Sequence, residues 1–357
     1  MGANPSAYRG CLLGLAAGDA LGHTVDEKTW DEICADYGPN GLLGYDLVNG
    51  SAEVTSYTQL VTYLSNAMLL SISRGVKDNF MPFIHLGLKE WVRSQQYYRD
   101  PERSFCWVAK LPAFRRRHCR DSRMLESLRL QSLGAIVPRN NYDTPSALTA
   151  GVAVGLFFEE RRMDPAQIGQ ITAKTVSLSH GHPDAWLSAV VLAYTIAGLL
   201  QEPELPLETQ FRSAIAAMQG QFPGEPGKAL AARLKRVITI ARNPSADLQA
   251  GMEALGCNTA AECLAGAMYA CLTVPDDFDA ALILAVNHSG HSAATGALTG
   301  AILGARLGHE ALPEFYLESL EGVEPLCVLA EDLYSSTPAM GLFDDDWDQK
   351  YVQGIPL

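Results

Sequence analysis

Glycine falls at every fourth position twice in this chain, at Gly10, Gly14, Gly18 and Gly22 and again at Gly296, Gly300, Gly304 and Gly308. Four residues is close to the 3.6-residue turn of an α-helix, so each series lays a stripe without side chains along one helical face. A glycine inside a helix costs about 0.5–1 kcal/mol relative to alanine, so a run of them needs a compensating gain. Close approach of two helix axes supplies it, because bare faces let backbones meet and gain dispersion contacts. The two ladders are therefore expected to lie against each other at the centre of the fold. Whatever follows the first is then aimed at whatever precedes the second.

The rest of the chain is patterned the same way. Apolar residues recur at helical spacing over 8–21, 58–72, 80–93, 146–160, 165–178, 184–200, 207–218, 229–241, 260–272, 278–286 and 294–307. Pro and Gly punctuate these runs at 38–41, 203–206, 222–224 and 274–275, and no long strand-like alternation interrupts them. An all-α fold is predicted. No composition break marks a linker, so 1–357 reads as a single helical domain with 341–357 as a C-terminal tail packed on it. Within that tail, Trp347 among the acids Asp344, Asp345, Asp346 and Asp348 is expected to pin the segment to the body.

Charge and cysteine usage narrow the function classes. With 40 acidic against 27 basic residues and a net charge of −13, the chain lacks the clustered cations that phosphate backbones demand, so no nucleic-acid partner is expected. No window reads as a membrane span of roughly 20 apolar residues, and Met1 to Ser6 lack the basic-then-apolar pattern of a secretory signal. The 8 cysteines form no CxxC pair, which favours buried free thiols and a cytoplasmic protein. The basic run Arg115-Arg116-Arg117-His118, with Arg120 and Arg123 beyond it, reads as a solvated face. Cys119 reads as a surface thiol among arginines.

Four motifs, in this order along the chain, resemble those of the ADP-ribosylglycohydrolase family. The first is Gly10-Cys11-Leu12-Leu13-Gly14-Leu15-Ala16-Ala17-Gly18-Asp19-Ala20-Leu21-Gly22, which is similar to the family's opening helix almost letter for letter. The second, Glu53-Val54-Thr55-Ser56-Tyr57-Thr58-Gln59-Leu60, resembles a Thr/Ser-Asp-Asp-Thr-Gln-Met run. The third, Ser179-His180-Gly181-His182-Pro183, resembles a Thr/Ser-His-x-His-Pro turn. The fourth, Asn287-His288-Ser289-Gly290-His291-Ser292-Ala293-Ala294-Thr295, resembles a Gly-Asp-x-Asp-Ser/Thr run entering a small-residue helix. Beyond them, 341–347 looks like a tail found in bacterial members.

The resemblance implies an all-helical hydrolase that cleaves ADP-ribose from modified side chains with two Mg²⁺ ions. Carried over residue by residue, the family's metal positions are Thr55, Ser56, Tyr57, His291, Ala293 and Ala294. Only Thr55 keeps a family-type oxygen. Mg²⁺ favours near-octahedral oxygen donors, carboxylates above all, and two such ions need several anionic ligands to offset their repulsion. No Asp or Glu lies between Val54 and Asn66 or between Val286 and Gly308, so a shift of register restores nothing. No metal cofactor is expected. Asp26 falls where members carry a glutamate after the first helix, and it is the one candidate catalytic acid. The phosphate-cradling glycine run is also replaced, here by 140–151, where Asp143 or Thr144 is expected to cap a helix that Pro145 opens.

The leading expectation is an inactive member of the family that acts by binding an ADP-ribose-like small molecule or a protein partner. Its cleft would be lined by Thr55, Ser56, Tyr57, His180, His182, Asn287, His288 and His291. Two other readings stand beside it. One is an active hydrolase of an ADP-ribosyl or related glycosidic substrate, using Asp26 with histidines or a metal on His180, His182, His288 and His291. The other is a structural or interaction protein of the crystallin type, its site closed by Tyr57.

Overall fold

The computed structural model describes residues 4–96, 101–131, 140–157, 164–244, 247–335 and 345–352. Among these residues there is no β-strand, only two isolated bridges, Val48 with Ser51 and Ala52 with Leu320. The fold is all-α. The first glycine helix, Pro5–His23, is capped at its start by the Asn4 side chain, which accepts from the Ser6 amide. Its partner, Ser292–Leu307, runs antiparallel to it. The ladders interlock residue against residue: Gly10 meets Gly304, Gly14 meets Gly300, Gly18 meets Gly296, and Gly22 meets Ser292. A Cβ added at Gly10, Gly14 or Gly18 would lie 2.0–2.1 Å from the carbonyl oxygen opposite, so no side chain larger than hydrogen is accommodated along this seam.

Around the glycine pair sit helices that are enclosed on nearly every side. Ser56–Ser73, Thr149–Phe157, Pro183–Gln201 and Ala260–Thr273 are buried along most of their lengths, as expected of helices enclosed by others. Pro183–Gln201 corrects the expectation that no segment resembles a membrane span. It is long and apolar enough by composition, but 72% of its apolar window is buried inside the protein, the mark of a core helix. Most helix limits fall within a few residues of those predicted. The exception is the 146–160 run, which divides into a 3₁₀ turn, Pro145–Leu148, and an α-helix, Thr149–Phe157; 158–160 lie outside the described residues.

At the C-terminal end, Trp347 donates its indole N–H to Ser73 Oγ at 2.8 Å. Tyr351 donates to Asp332, which also pairs with Lys350 at 2.7 Å. Residues 341–344 and 353–357, part of the predicted tail, lie outside the described residues.

Candidate functional site

The glycine seam fixes which chain segments meet. Beyond its end at Gly22, the chain passes His23 and turns at Asp26 and Glu27; opposite, His291 opens the Ser292–Leu307 helix. The N-terminus of Ser56–Ser73 comes in beside both, and a fourth segment, 118–121, crosses the gap. All the positions that the resemblance maps to metal ligands lie here.

Asp19, one turn before the end of the first helix, is wholly buried. It accepts from the Thr55 amide and hydroxyl (2.9 and 2.6 Å) and from the Thr58 amide and hydroxyl (3.0 and 2.6 Å). Burial pushes its carboxyl up, and these four donors pull against it. Thr55 Oγ1, at a position that the resemblance maps to a metal ligand, thus donates its proton to Asp19. Ser56 Oγ accepts from the Arg120 amide at 3.0 Å, and the Ser56 amide donates to His118 O. Tyr57 is 4% exposed and sits in the core, where burial raises its phenol well above the usual range. Ala293 and Ala294 are buried and offer no side-chain donor.

Asp26 is the centre of the arrangement, and its side chain is fully enclosed. Arg120 donates to its Oδ2 through Nε and Nη2, at 3.0 and 2.6 Å. The Ala293 amide donates to Oδ1 at 3.0 Å. Asp26 thereby caps the helix whose own N-cap residue, His291, makes no side-chain cap, and the carboxylate suits the positive end of the helix dipole. Burial opposes the Arg120 charge, and the Asp26 carboxylate outweighs it, raising the guanidinium further above its ordinary value.

Arg120 is a residue of this arrangement that the sequence pattern did not reveal. The basic run was expected to be a solvated face, yet much of it is built into the site. Arg116 pairs with Glu53 at 2.7 Å and with Glu321 at 3.0 Å. His118 sits between the Val54 carbonyl (3.1 Å) and Glu53 (3.3 Å), its ring 5.6 Å from that of His23. Burial and the nearby Arg120 charge lower the His23 imidazole. Cys119 is not the surface thiol expected either: it is partly buried, donates to Asp121 O, and burial pushes it up to about 11. That removes it as a thiolate nucleophile at neutral pH.

The four candidate histidines take separate posts. His180 is wholly buried. One ring nitrogen meets Ser179 Oγ at 2.8 Å and the other Thr144 Oγ1 at 2.7 Å. Thr144 and Ser146 both donate to Asp121, so a closed polar hub joins 121, 144, 146 and 180. Burial alone would raise Asp121, but bonds from His180, Ser146, Thr144 and the Met124 amide hold it well below the usual carboxylate range. Thr144 stands at a predicted cap position but makes no cap bond, because its hydroxyl is committed to this hub. His182 caps Pro183–Gln201, its Nδ1 accepting from the Asp184 amide at 3.2 Å. His288 is buried with neither ring nitrogen in a hydrogen bond of normal geometry, and burial pushes it down to about 4. His291 Nδ1 lies 3.9 Å from Glu27.

These posts exclude a four-histidine metal centre among the described residues. The one His/Cys/Asp/Glu group close enough to share an ion is Asp26, Glu27 and His291, with ligand atoms within 4.8 Å of one another. Asp26 is already occupied by Arg120 and Ala293, and Glu27 is exposed. The donor set does not fit a pair of Mg²⁺ ions. Asn287 is a clamp, bonded to both the amide and the carbonyl of Leu42 (2.7 and 2.9 Å). It also lines a separate open groove of about 690 Å³ with Asn40, Asp247, Asp279, Ile283 and Leu284, which no other expected cleft residue reaches.

Comparison with known proteins gives a consistent picture. A family model described as ADP-ribosylglycohydrolase matches residues 3–341. A solved structure described as an ADP-ribosylglycohydrolase-related protein complex shares the fold with a TM-score of 0.58 at 22% identity, over 92% of this chain and 97% of that one. No curated protein matches the sequence significantly.

Proposed function

Because the chain belongs to the ADP-ribosylglycohydrolase family, we propose that it is a member without the two-metal hydrolase centre, acting in the cytoplasm by binding an ADP-ribose-like ligand or a protein partner. The observation that carries this reading is that no carboxylate stands at 55–57 or 291–294, while the oxygens of Thr55, Ser56 and Asp26 are already hydrogen-bonded within the protein. Thr55 Oγ1 serves Asp19, Ser56 Oγ serves the Arg120 amide, and both oxygens of Asp26 are held by Arg120 and Ala293. Asp26 in that grip is a poor general acid or base, which weakens the alternative of a metal-independent hydrolase. Buried, unpaired thiols at Cys11, Cys106, Cys257, Cys263 and Cys271 suit a reducing compartment.

The test is a thermal-shift titration with ADP-ribose, run with Mg²⁺, with Zn²⁺ and with chelator, beside an assay for ADP-ribose release from modified protein. A ligand at 100 times its Kd stabilises the fold by about 2.7 kcal/mol. The expected result is no release under any metal condition, with stabilisation by ADP-ribose that chelator leaves unchanged. Mg²⁺-dependent release sinks the reading. A second reading, a structural or interaction protein of the crystallin type, is favoured by the enclosure of Tyr57. Silence toward ADP-ribose in every arm moves the weight to it.

A further inference from the structure

We propose that Arg120 is a resident cation, a guanidinium that the chain itself supplies between the starts of the Ser56–Ser73 and Ser292–Leu307 helices to balance Asp26. This rests on the reading that the metal pair is absent from the working protein, and it adds what replaces it. The first support is position. The Arg120 amide is anchored on Ser56 Oγ at the start of one helix, and its guanidinium reaches the carboxylate that caps Ala293 at the start of the other. It bridges the two segments that the family's metal positions map to.

Charge is the second support. The Asp26 side chain is fully enclosed, whereas that of Arg120 is 26% exposed. A buried carboxylate without a partner is far costlier than one in a hydrogen-bonded pair. The start of the Ser292–Leu307 helix meets Asp26 only through the Ala293 amide, and the full positive charge that pairs with the enclosed carboxylate comes from Arg120. The third support is anchorage on both sides of Arg120. His118 is held by Val54 and Glu53, and Asp121 by the His180 hub. The segment therefore presents Arg120 at a fixed place rather than leaving it to swing on a free loop. Arginine is suited to this role because its planar fork stays charged and binds one carboxylate through two N–H groups.

Cation rescue tests the assignment. In full-length Arg120→Ala, the thermal midpoint is expected to fall by about 4 °C. Millimolar guanidinium or Mn²⁺ should recover part of that loss, because Asp26, Glu27 and His291 then face an open position. The double variant Asp26→Asn/Arg120→Ala should respond to neither ion, and the wild type should gain nothing from Mn²⁺. Arg120→Lys, which keeps the charge but loses the fork, should fall between wild type and Arg120→Ala; it carries the test if the alanine variant does not fold. An undiminished midpoint in Arg120→Ala overturns the inference, as does equal cation response in the single and double variants. A wild type that still ignores Mg²⁺ in that case leaves the functional reading intact. Mg²⁺-dependent hydrolysis by the wild type removes the functional reading whatever Arg120 does.

Discussion

Gly14 and Gly300 face each other so closely that a Cβ on Gly14 would lie 2.1 Å from the Gly300 carbonyl oxygen. The contact is backbone on backbone, with no flexible side chain to give way. The seam brings the turn after Gly22 up to the start of the Ser292–Leu307 helix, where Asp26 meets Ala293.

Substituting Gly14→Ala is therefore expected to destabilise the protein by about 3 kcal/mol or more. The sign is informative. On an unpacked helix the same change would stabilise by about 0.5–1 kcal/mol through helix propensity. Urea unfolding of Gly14→Ala against Gly220→Ala, where a Cβ meets nothing within 4 Å, separates the two effects. A neutral Gly14→Ala would mean that the helices do not pack as described.

Acid sensitivity is expected to come partly from His288. Burial places its folded value at about 4, below the ordinary imidazole. The unfolded chain takes up the proton first, so stability from this group is complete above about pH 6.5 and drains away as pH falls toward about 4. His288→Leu should flatten that part of the stability–pH curve, and with no hydrogen bond of normal geometry to lose it should be tolerated. Denaturation midpoints at several pH values across the window decide it. Parallel curves for both proteins would rule His288 out.

The hub around Asp121 makes a different prediction. Its depressed carboxyl contributes stability that is fully present above the unfolded value of about 3.9 and lost only as pH falls below it. Asp121→Asn should cost about 1.5–3 kcal/mol at neutral pH, because a charged acceptor of several donors is replaced. The gap between wild type and variant should hold constant down to about pH 4 and then narrow. A gap that closes between pH 7 and 5 would contradict the assignment to Asp121.

Restoring acids probes whether architecture or ligands were lost. With Asp introduced at Ser56, Tyr57, His291 and Ala293, Mg²⁺ is expected to raise the thermal midpoint. The rise should be larger when Arg120→Ala is added, since the guanidinium otherwise competes for the same carboxylates. Equal Mg²⁺ shifts with and without Arg120 would contradict that competition.

Much of the scaffold was readable from periodicity, because helix packing writes its demands into nearby residues. The two glycine ladders foretold the seam, and 278–286 was predicted with the limits at which Phe278–Val286 forms. Trp30–Tyr37 and Val323–Ser335 were passed over. The first is only two turns long and buries little beyond Ile33, so its apolar stripe is faint. For the site, the sequence itself shows Ser56, Tyr57, His291 and Ala293 where the resemblance leads one to expect carboxylates. What fills their place was hidden. Arg120 looks like one more cation in a basic run, and its partner Asp26 lies 94 positions away. Thr144 was one of two expected caps for a helix, and only the fold reveals that Asp121 and His180 claim its hydroxyl. Pairings of that kind carry no local period.

The ladder seam also governs the order in which the chain can mature. Pro5–His23 leaves the ribosome well before Ser292–Leu307, whose glycine face receives its bare stripe. Contacts of such sequence separation form late and slowly, so a largely apolar helix must wait uncovered while all the intervening chain is made. Nascent chains of this protein should lean on chaperones until the closing helix arrives.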